Sequence, residues 1–462
     1  MTINMALLLR AGDLSFSPVP LRELRLTVPH SPFSARKPDQ LMTLIHASPL
    51  GRCLLEVQQQ SGVALYLVGG CVRDWLLGKE PLDWDVVVPA ATRSVLASLK
   101  DLLKPRAVIE LDAQLEIFRL QFEADTYLDL ARLAQDNLFV DLQRRDLSIN
   151  AMALDLQTGL LIDPLNGYTD LLSRKIRIPS LQNLSDDPVR VLRAFRFAAT
   201  LNFDLVPEAQ AWLQVSAPLM ERVAGERLLA EWHKLLVSGR AAATLRTMQR
   251  LEILAPALGA PLQETASALR RVGRMENILH EISSPEQPRL SKEIYSNVDK
   301  ERPLQATYLF AALLLRATRD NLAATLRRLP FSRRQVQLLR SILHGYEVLQ
   351  THKKAALSPL EIFRAWRDHR TAWPGLMWCL LGDPSLVLRA LGYTGLKSHW
   401  ELCDNPLPRL ISGNDILELP GVEPGPHIAH WLTTVDEAIA MKQVKSRQEA
   451  LDLLHHLRAD NT

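Results

Sequence analysis

Two acidic residues, Asp83 and Asp85, stand two positions apart in the segment LDWDVVV. The apolar residues after them predict a strand, and residues i and i+2 of a strand point to the same side of the sheet. The two carboxylates are therefore expected to face one site. Ionised carboxylate oxygens suit Mg²⁺, and two such ions suit nucleotidyl transfer: one activates an attacking hydroxyl, and the other neutralises a triphosphate.

A glycine pair precedes these acids. Gly69 and Gly70 follow an apolar run (residues 65–68) that predicts a strand, and they open a short predicted helix that ends near Gly78. Free backbone N–H groups at a helix start favour phosphate oxygens, and Arg73 in the first turn adds a triphosphate contact. Either motif alone is more simply a turn. Together, in strand–helix–strand order, they favour a nucleotide site.

The composition is that of an ordinary globular protein. The chain has 462 residues, 47% hydrophobic and 23% charged, with a net charge of +3 that does not by itself indicate nucleic acid. This length predicts two to four domains. The four cysteines have no spacing typical of zinc sites or disulfide frameworks, which favours a reduced, cytoplasmic setting: Cys53, Cys71, Cys379 and Cys403. No apolar run is long enough to cross a membrane, so no membrane partner is expected.

The chain divides by character near residue 178. Before it, alternating strand and helix patterns predict an α/β domain on a small mixed sheet; after residue 186 nearly everything predicts helix. Elements predicted with definite bounds include helices 41–61, 92–103 and 373–381 and strands 107–111, 116–122 and 127–130. A polar segment, 283–303, is predicted to be a loop between helical domains. The first 40 residues are predicted to be a mobile extension, although their arginines leave organellar targeting open.

Five segments, in order, resemble the sequence blocks of the class II tRNA nucleotidyltransferase and bacterial poly(A) polymerase family, within the DNA polymerase β superfamily. They are GGCVRD with LDWDVVV, RRDLSINAMALD (144–155), DPLNGYTDL (163–171), DDPVRVLRAFRFA (186–198) and ERLLAEWHKLL (226–236). The tail segment ISGNDILELPGVEPGPHI also resembles the C-terminal part of many members.

This resemblance implies a DNA polymerase β-like α/β head followed by all-α neck, body and tail. The divisions expected are an extension 1–40, a head 41–178, a neck 179–270, a body 271–400 and a tail 401–462. The implied activity is Mg²⁺-dependent addition of C, A or both, from CTP and ATP, to the 3′ end of tRNA, with release of pyrophosphate. The resemblance does not indicate an oligomeric state.

The resemblance also implies roles for individual residues. Asp83 and Asp85 would hold two Mg²⁺ ions, and Gly69, Gly70 and Arg73 would contact the triphosphate. Three residues of the second block would contact sugar and phosphates, with Asp146 accepting from a ribose hydroxyl: Arg145, Asp146 and Asn150. In the fourth block Asp187 and Arg190 would read the edge of the incoming base, and Arg193 would touch the triphosphate.

Plainer interpretations exist for several of these residues. Asp187 before Pro188 is a good N-cap and first-turn pair, and Arg190 with Arg193 is typical of a solvated face opposite a stripe of Val189, Leu192, Phe195 and Ala199. The segment 144–146 could be a surface ion pair.

The chain departs from the family in three places. Asp186 replaces the usual Glu, and residues 115–122 replace a characteristic HGTV-like strand. Asp129 in YLDLAR is a looser match to a third carboxylate. The region between the first two blocks includes the loop associated in the family with the switch from C to A addition, so the choice of nucleotide stays open.

Basic residues farther along could follow an RNA backbone or be solvated helix faces: Arg327, Arg328, Arg333, Arg334 and Arg340. Two alternative functions remain. A poly(A) polymerase would share the head, but the chain has no strongly Arg-rich C-terminal extension. A non-catalytic RNA-binding protein would have a decayed site, against which the intact acidic pair argues.

Overall fold

The structure is a computed structural model that describes residues 36–81, 83–122, 126–282, 297–299, 302–350, 357–383, 385–404 and 406–459. Most of the predicted N-terminal extension and most of the predicted loop 283–303 lie outside these residues. The chain forms two compact units. The first is Met1–Val223 with Leu251–Ile253, and the second is Ala224–Arg250 with Leu254–Thr462.

The first unit contains a seven-stranded mixed sheet in the order β3-β4-β5-β2-β1-β6-β7. Its strands are β1 (Tyr66–Val68), β2 (Asp83–Val88), β3 (Ala107–Asp112), β4 (Ile117–Gln121), β5 (Tyr127–Arg132), β6 (Ala153–Asp155) and β7 (Leu161–Ile162). Strands β2 and β5 run parallel, and every other adjacent pair in this sheet is antiparallel. A separate parallel pair joins β8 (Lys175–Ile176) to β9 (Asp204–Leu205).

The part of the first unit that the structure describes contains nine α-helices. They are α1 (Leu41–Ala47), α2 (Pro49–Ser61), α3 (Gly70–Leu76), α4 (Thr92–Leu103), α5 (Leu138–Gln143), α6 (Gly167–Leu172), α7 (Leu181–Asp186), α8 (Val189–Leu201) and α9 (Pro207–Ser216). Short 3-10 helices span Pro38–Gln40, Ala134–Asp136, Ser148–Asn150 and Ala217–Arg222.

The predicted helix over 41–61 is two helices, because Pro49 cannot continue a helix from the preceding turn. Ser48 instead caps α2, and its side chain accepts a hydrogen bond from the Gly51 N–H (3.4 Å). A Cβ on Gly51 would lie 2.2 Å from the carbonyl oxygen of Ile45, so only glycine fits between α1 and α2.

The second unit is helical apart from a short hairpin, β10 (Asn297–Asp299) with β11 (Arg302–Pro303), among the residues that the structure describes. Its helices are α10 (Gly225–Leu236), α11 (Ala241–Arg250), α12 (Leu254–Leu258), α13 (Thr265–Ile282), α14 (Leu304–Leu314), α15 (Arg319–Arg328), α16 (Arg333–Gln350), α17 (Pro359–Asp368), α18 (Trp373–Leu381), α19 (Leu386–Asp404), α20 (Gly413–Leu417), α21 (Pro426–Ala440) and α22 (Arg447–Ala459). None of the described helices combines the length and apolar character needed to cross a membrane.

The core of this second unit is aromatic in one part and aliphatic in another. Helices α14 and α18 are buried on every side, and Tyr308 of α14 meets Trp378 of α18 edge to face, with ring centres 6.1 Å apart. The C-terminal helices close over a second cluster, in which Ile416, Val435 and Leu454 are fully buried. Each cluster buries the apolar surfaces of the helices that form it.

A buried polar group interrupts the second unit's apolar core. The Tyr346 hydroxyl donates to the Asp383 carboxylate, and a guanidinium nitrogen of Arg271 lies 3.9 Å from the same carboxylate. Arg271 also donates to the carbonyl of Ala312 (2.9 Å). All three side chains are almost fully buried, so their mutual contacts replace the water that each would otherwise bind.

Candidate active site

The acidic pair lies on one face of β2, as the spacing predicts. Along this strand Asp83 is exposed, Trp84 buried and Asp85 half-buried. Trp84 points to the opposite face and meets Trp75 of α3 edge to face, with ring centres 4.7 Å apart. The strand therefore has a dry, tightly packed back, and it presents both carboxylates from its front.

The surroundings of Asp85 perturb the ionisation of its carboxyl group. Burial, with smaller contributions from the nearby charges of Asp129 and Asp83, raises the pKa of its carboxyl to about 6. The guanidinium groups of Arg145 and Arg119 act in the opposite direction but do not cancel the effect. A cation at this face would favour the ionised form of Asp85.

Asp129, the looser sequence match, lies beside the pair. The parallel register sets it opposite Asp85, and the antiparallel register of β4 with β5 sets Arg119 opposite Asp129. Arg119 holds Asp129 through two parallel hydrogen bonds of 2.8 and 2.7 Å. Sequence reasoning missed Arg119, because nothing in the sequence fixes the register of two neighbouring strands.

The donor set fits Mg²⁺. Asp83 and Asp85 offer hard oxygen ligands on one face, whereas the oxygens of Asp129 are occupied by Arg119. Within the described ranges, no group of three or more His, Cys, Asp or Glu side chains could hold a metal ion. Two carboxylates completed by substrate phosphates are a common arrangement for Mg²⁺.

Gly69, in the turn between β1 and α3, lies close to both Asp85 and Arg145. Its φ of 75° is a conformation that other residues rarely adopt, and a Cβ here would lie 2.6 Å from Nη1 of Arg145 and 3.3 Å from Oδ2 of Asp85. Contrary to the sequence-based expectation of a free donor, the Gly69 N–H donates to the carbonyl of Met152 (3.2 Å). Gly70 begins α3, and Arg73 lies close to it.

A chain of hydrogen bonds runs from Arg73 towards α8. Buried Arg73 donates to Asn150 Oδ1 (2.6 Å) and to its neighbour Asp74 (2.9 Å). Asn150 donates to Asp146 Oδ1 (2.9 Å), and Nη1 of Arg193 lies 3.5 Å from Asp146 Oδ2. The predicted phosphate, ribose and α8 residues are thus joined in one network.

Arg145 stands apart from this chain. It pairs with Asp141 (3.0 Å) and faces Gly69. A positively charged group therefore lies beside the glycine turn, on the side of the acidic pair.

Asp187 and Arg190 come together at the start of α8, with Nε of Arg190 4.0 Å from Asp187 Oδ2. The predicted buried stripe of α8 is present, since Val189, Leu192, Phe195 and Ala199 are all buried. The predicted N-cap is wrong: Pro188 occupies that position without a side-chain bond, and Asp187 is instead the C-cap that follows α7.

The interpretation of Arg190 as a solvated side chain is also wrong. Burial lowers the pKa of its guanidinium, and its Nη1 donates to the carbonyl of Asn183 (3.1 Å). The Asp187–Arg190 pair therefore occupies a partly enclosed position, where a ligand would meet less water than on an open helix face.

The basic residues proposed for RNA lie in the second unit. Arg327 is exposed and Arg328 half-buried at the end of α15, and Arg333 and Arg334 are exposed at the start of α16. Arg328 packs closely against Gly259: a Cβ added to Gly259 would lie 2.6 Å from the Cβ of Arg328. Arg340 is exposed farther along α16.

The sheet with its acidic pair and glycine turn defines a nucleotidyltransferase head, and comparisons with known proteins give its family. Residues 65–177 match the family model described as "Poly A polymerase head domain", and residues 202–267 match "Probable RNA and SrmB- binding site of polymerase A". The chain is 31% identical to the CC-adding tRNA nucleotidyltransferase of Synechocystis sp., over 83% of this chain and 91% of that protein. It is 27% identical to the CC-adding enzyme of Geobacter sulfurreducens over 89% and 96%, and 29% identical to the A-adding enzyme of Deinococcus radiodurans over 83% and 93%.

Solved structures share the fold. The Thermotoga maritima CCA-adding enzyme complexed with tRNA superposes with a TM-score of 0.73 at 22% identity, over 90% of this chain and 98% of that one. A CCA-adding enzyme in complex with CTP gives a TM-score of 0.71 at 22% identity, over 90% and 94%. The chain belongs to the tRNA nucleotidyltransferase family. The family, the enzyme class and the fold of an α/β head followed by helices, all predicted from the sequence, are confirmed.

Proposed function

We propose that this protein transfers nucleotides from CTP or ATP to the 3′ end of tRNA and releases pyrophosphate. The observation that carries the proposal is the placement, within one unit, of the Asp83–Asp85 face beside Gly69 and Arg145. Three relatives, each matched by this chain over more than nine-tenths of its own length, are named for the addition of C or A to tRNA.

In this proposal the acidic face holds two Mg²⁺ ions through Asp83 and Asp85. Bound Mg²⁺ would neutralise the triphosphate and lower the pKa of the attacking 3′-hydroxyl. Arg73 and Arg145 would bring positive charge to the triphosphate at the glycine turn, and Arg119 would keep Asp129 paired beside Asp85.

The remaining residues would orient the nucleotide. Asp146, fixed by Asn150, would accept a hydrogen bond from a ribose hydroxyl, and Arg193 beside it would contact the triphosphate. Asp187 and Arg190 would form an acceptor and a donor fork that match the edge of the incoming base. The partly buried setting of Arg190 suits such a contact, because a desolvated donor discriminates more strongly than an exposed one.

We propose CTP as the preferred nucleotide, because two relatives matched over most of their length are named CC-adding. The test uses tRNA transcripts that end before the first C, after one C and after two, each with one labelled nucleotide. Two C residues should be added to the first transcript. The absence of incorporation by the wild type, or full activity after Asp83→Ala with Asp85→Ala, would refute the proposal.

One observation favours a second candidate. The matched family models carry the names of poly(A) polymerase domains, and such an enzyme would add A processively to RNA ends other than tRNA. Long A tails on an unstructured RNA, together with no preference for tRNA, would establish that activity instead.

A further inference from the structure

The side chain of Asn183, which sequence reasoning did not single out, connects several segments of the first unit through hydrogen bonds. Its amide nitrogen donates to two carbonyl oxygens, those of Gln143 (2.8 Å) and Arg145 (2.7 Å). Its Oδ1 accepts from the Ser180 hydroxyl (2.6 Å), and the residue is only 5% exposed. A buried amide with both donors and its acceptor in use holds its neighbours in one arrangement.

The backbone carbonyl of the same residue holds the proposed base-reading pair. It accepts from the Asp187 N–H (3.3 Å) and from Nη1 of Arg190 (3.1 Å). Any displacement of Asn183 therefore moves the anchor points of both residues together.

The Asn183 side chain also binds the segment that carries Arg145, beside the glycine turn and the acidic pair. Arg145, whose carbonyl Asn183 binds, directs its guanidinium towards Gly69 and pairs with Asp141 (3.0 Å). One side chain thus fixes the distance between the triphosphate side of the site and the residues at the start of α8.

We propose that Asn183 is a positioning residue for base selection: it sets Asp187 and Arg190 in register with Arg145 and the acidic face. This inference rests on the proposed function. The side-chain amide of Asn183 is engaged by Ser180, Gln143 and Arg145, so it would act through the residues that it holds. Its loss should lower the discrimination between nucleotides more than it lowers turnover of the preferred one.

The physical reason is the small tolerance of base reading. Without the amide, the carbonyls of Gln143 and Arg145 lose their partner, and α7 is free to shift against the segment that carries Arg145. A misplacement of about 1 Å can change a rate by about 100-fold, so we expect the preference for CTP over UTP to fall by about 10- to 100-fold.

The experiment compares full-length Asn183→Ala with Gln58→Ala, measuring kcat/KM for CTP and UTP and the unfolding temperature. Gln58 is a matched control: a buried amide of the same unit whose Oε1 accepts from the Leu65 N–H (3.2 Å), with no bond to the base-reading pair. Both variants should melt earlier, but only Asn183→Ala should lose discrimination. An unchanged CTP/UTP ratio in folded Asn183→Ala overturns the inference.

Three further outcomes are decisive. Should Asn183→Ala fail to fold, Ser180→Ala is the substitute, because it removes the hydrogen bond from the Ser180 hydroxyl to Asn183 Oδ1. This variant should lower the CTP/UTP ratio severalfold. An unchanged ratio in this variant also overturns the inference. A wild-type protein that incorporates no nucleotide refutes the proposed function and this inference together. A selective wild type with an equally selective Asn183 variant refutes the inference alone.

Discussion

Replacing Asp85 by asparagine should destroy activity and yet stabilise the metal-free protein. In the folded state the pKa of Asp85 is raised from 3.8 to about 6, chiefly by burial. A raised pKa means that folding favours the protonated acid, so its contribution to stability is present below pH 3.8 and is lost as the pH rises through about 6. Asparagine keeps the shape without the charge.

The shift sets an upper limit on this effect. Two pKa units correspond to about 3 kcal/mol at pH 8, which for a unit of this size is a rise in Tm of at most about 10 °C. The gain should shrink at pH 5, where the wild-type acid is largely protonated. Asp83→Asn is the matched control, because Asp83 lies exposed on the same strand face.

The assay is thermal unfolding of wild type and both variants at pH 5 and pH 8, with EDTA and with Mg²⁺, alongside incorporation of labelled CTP. Mg²⁺ should stabilise the wild type but not Asp85→Asn, because binding to the native state alone raises stability. A lower Tm for Asp85→Asn at pH 8 in EDTA would refute the reasoning, since it would mean that the ionised carboxylate stabilises the fold.

Three further outcomes are expected. Gly69→Ala should reduce kcat by at least about tenfold, because its Cβ would displace Arg145; Gly62→Ala, at a similar φ of 65° with nothing within 4 Å, should lower Tm but leave kcat unchanged, and equal kcat values for the two would contradict this. Tyr346→Phe should cost about 1–3 kcal/mol in urea unfolding, because buried Asp383 loses a donor; an unchanged midpoint would contradict it. Arg333→Gln should raise the KM for tRNA and reduce the slope of log K against log salt by about 1, with the KM for CTP unchanged; an unchanged slope would remove Arg333 from the RNA-binding surface.

The local sequence pattern predicted several elements well. The helices Thr92–Leu103 and Trp373–Leu381 have the predicted bounds, and the strand predicted at 107–111 extends one residue to Asp112. The same-face placement of Asp83 and Asp85 also follows from strand geometry alone. These features depend on local pattern, which the sequence displays directly.

The sequence did not predict what depends on contacts between distant segments. The strand registers that bring Asp129 to Asp85 and Arg119 to Asp129 connect β2, β4 and β5, and no local pattern specifies them. The hydrogen bond from the Gly69 N–H to the carbonyl of Met152 likewise joins segments that are distant in sequence, so no local pattern predicts it. The roles of the site residues and the five-part division of the chain stay predictions.

The order of the strands constrains how this head can be made. Strand β2 pairs in parallel with β5 and antiparallel with β1, and β1 has β6 (Ala153–Asp155) on its other side. A parallel neighbour and a neighbour distant in sequence both require the intervening chain to be present first. During synthesis the acidic residues thus leave the ribosome after β1 but well before β5, the parallel strand beside them in the sheet. The nascent head therefore cannot pair both edges of β1 until β6 has emerged, and a chain that stops before residue 153 leaves β1 with an unpaired edge open to association with other chains.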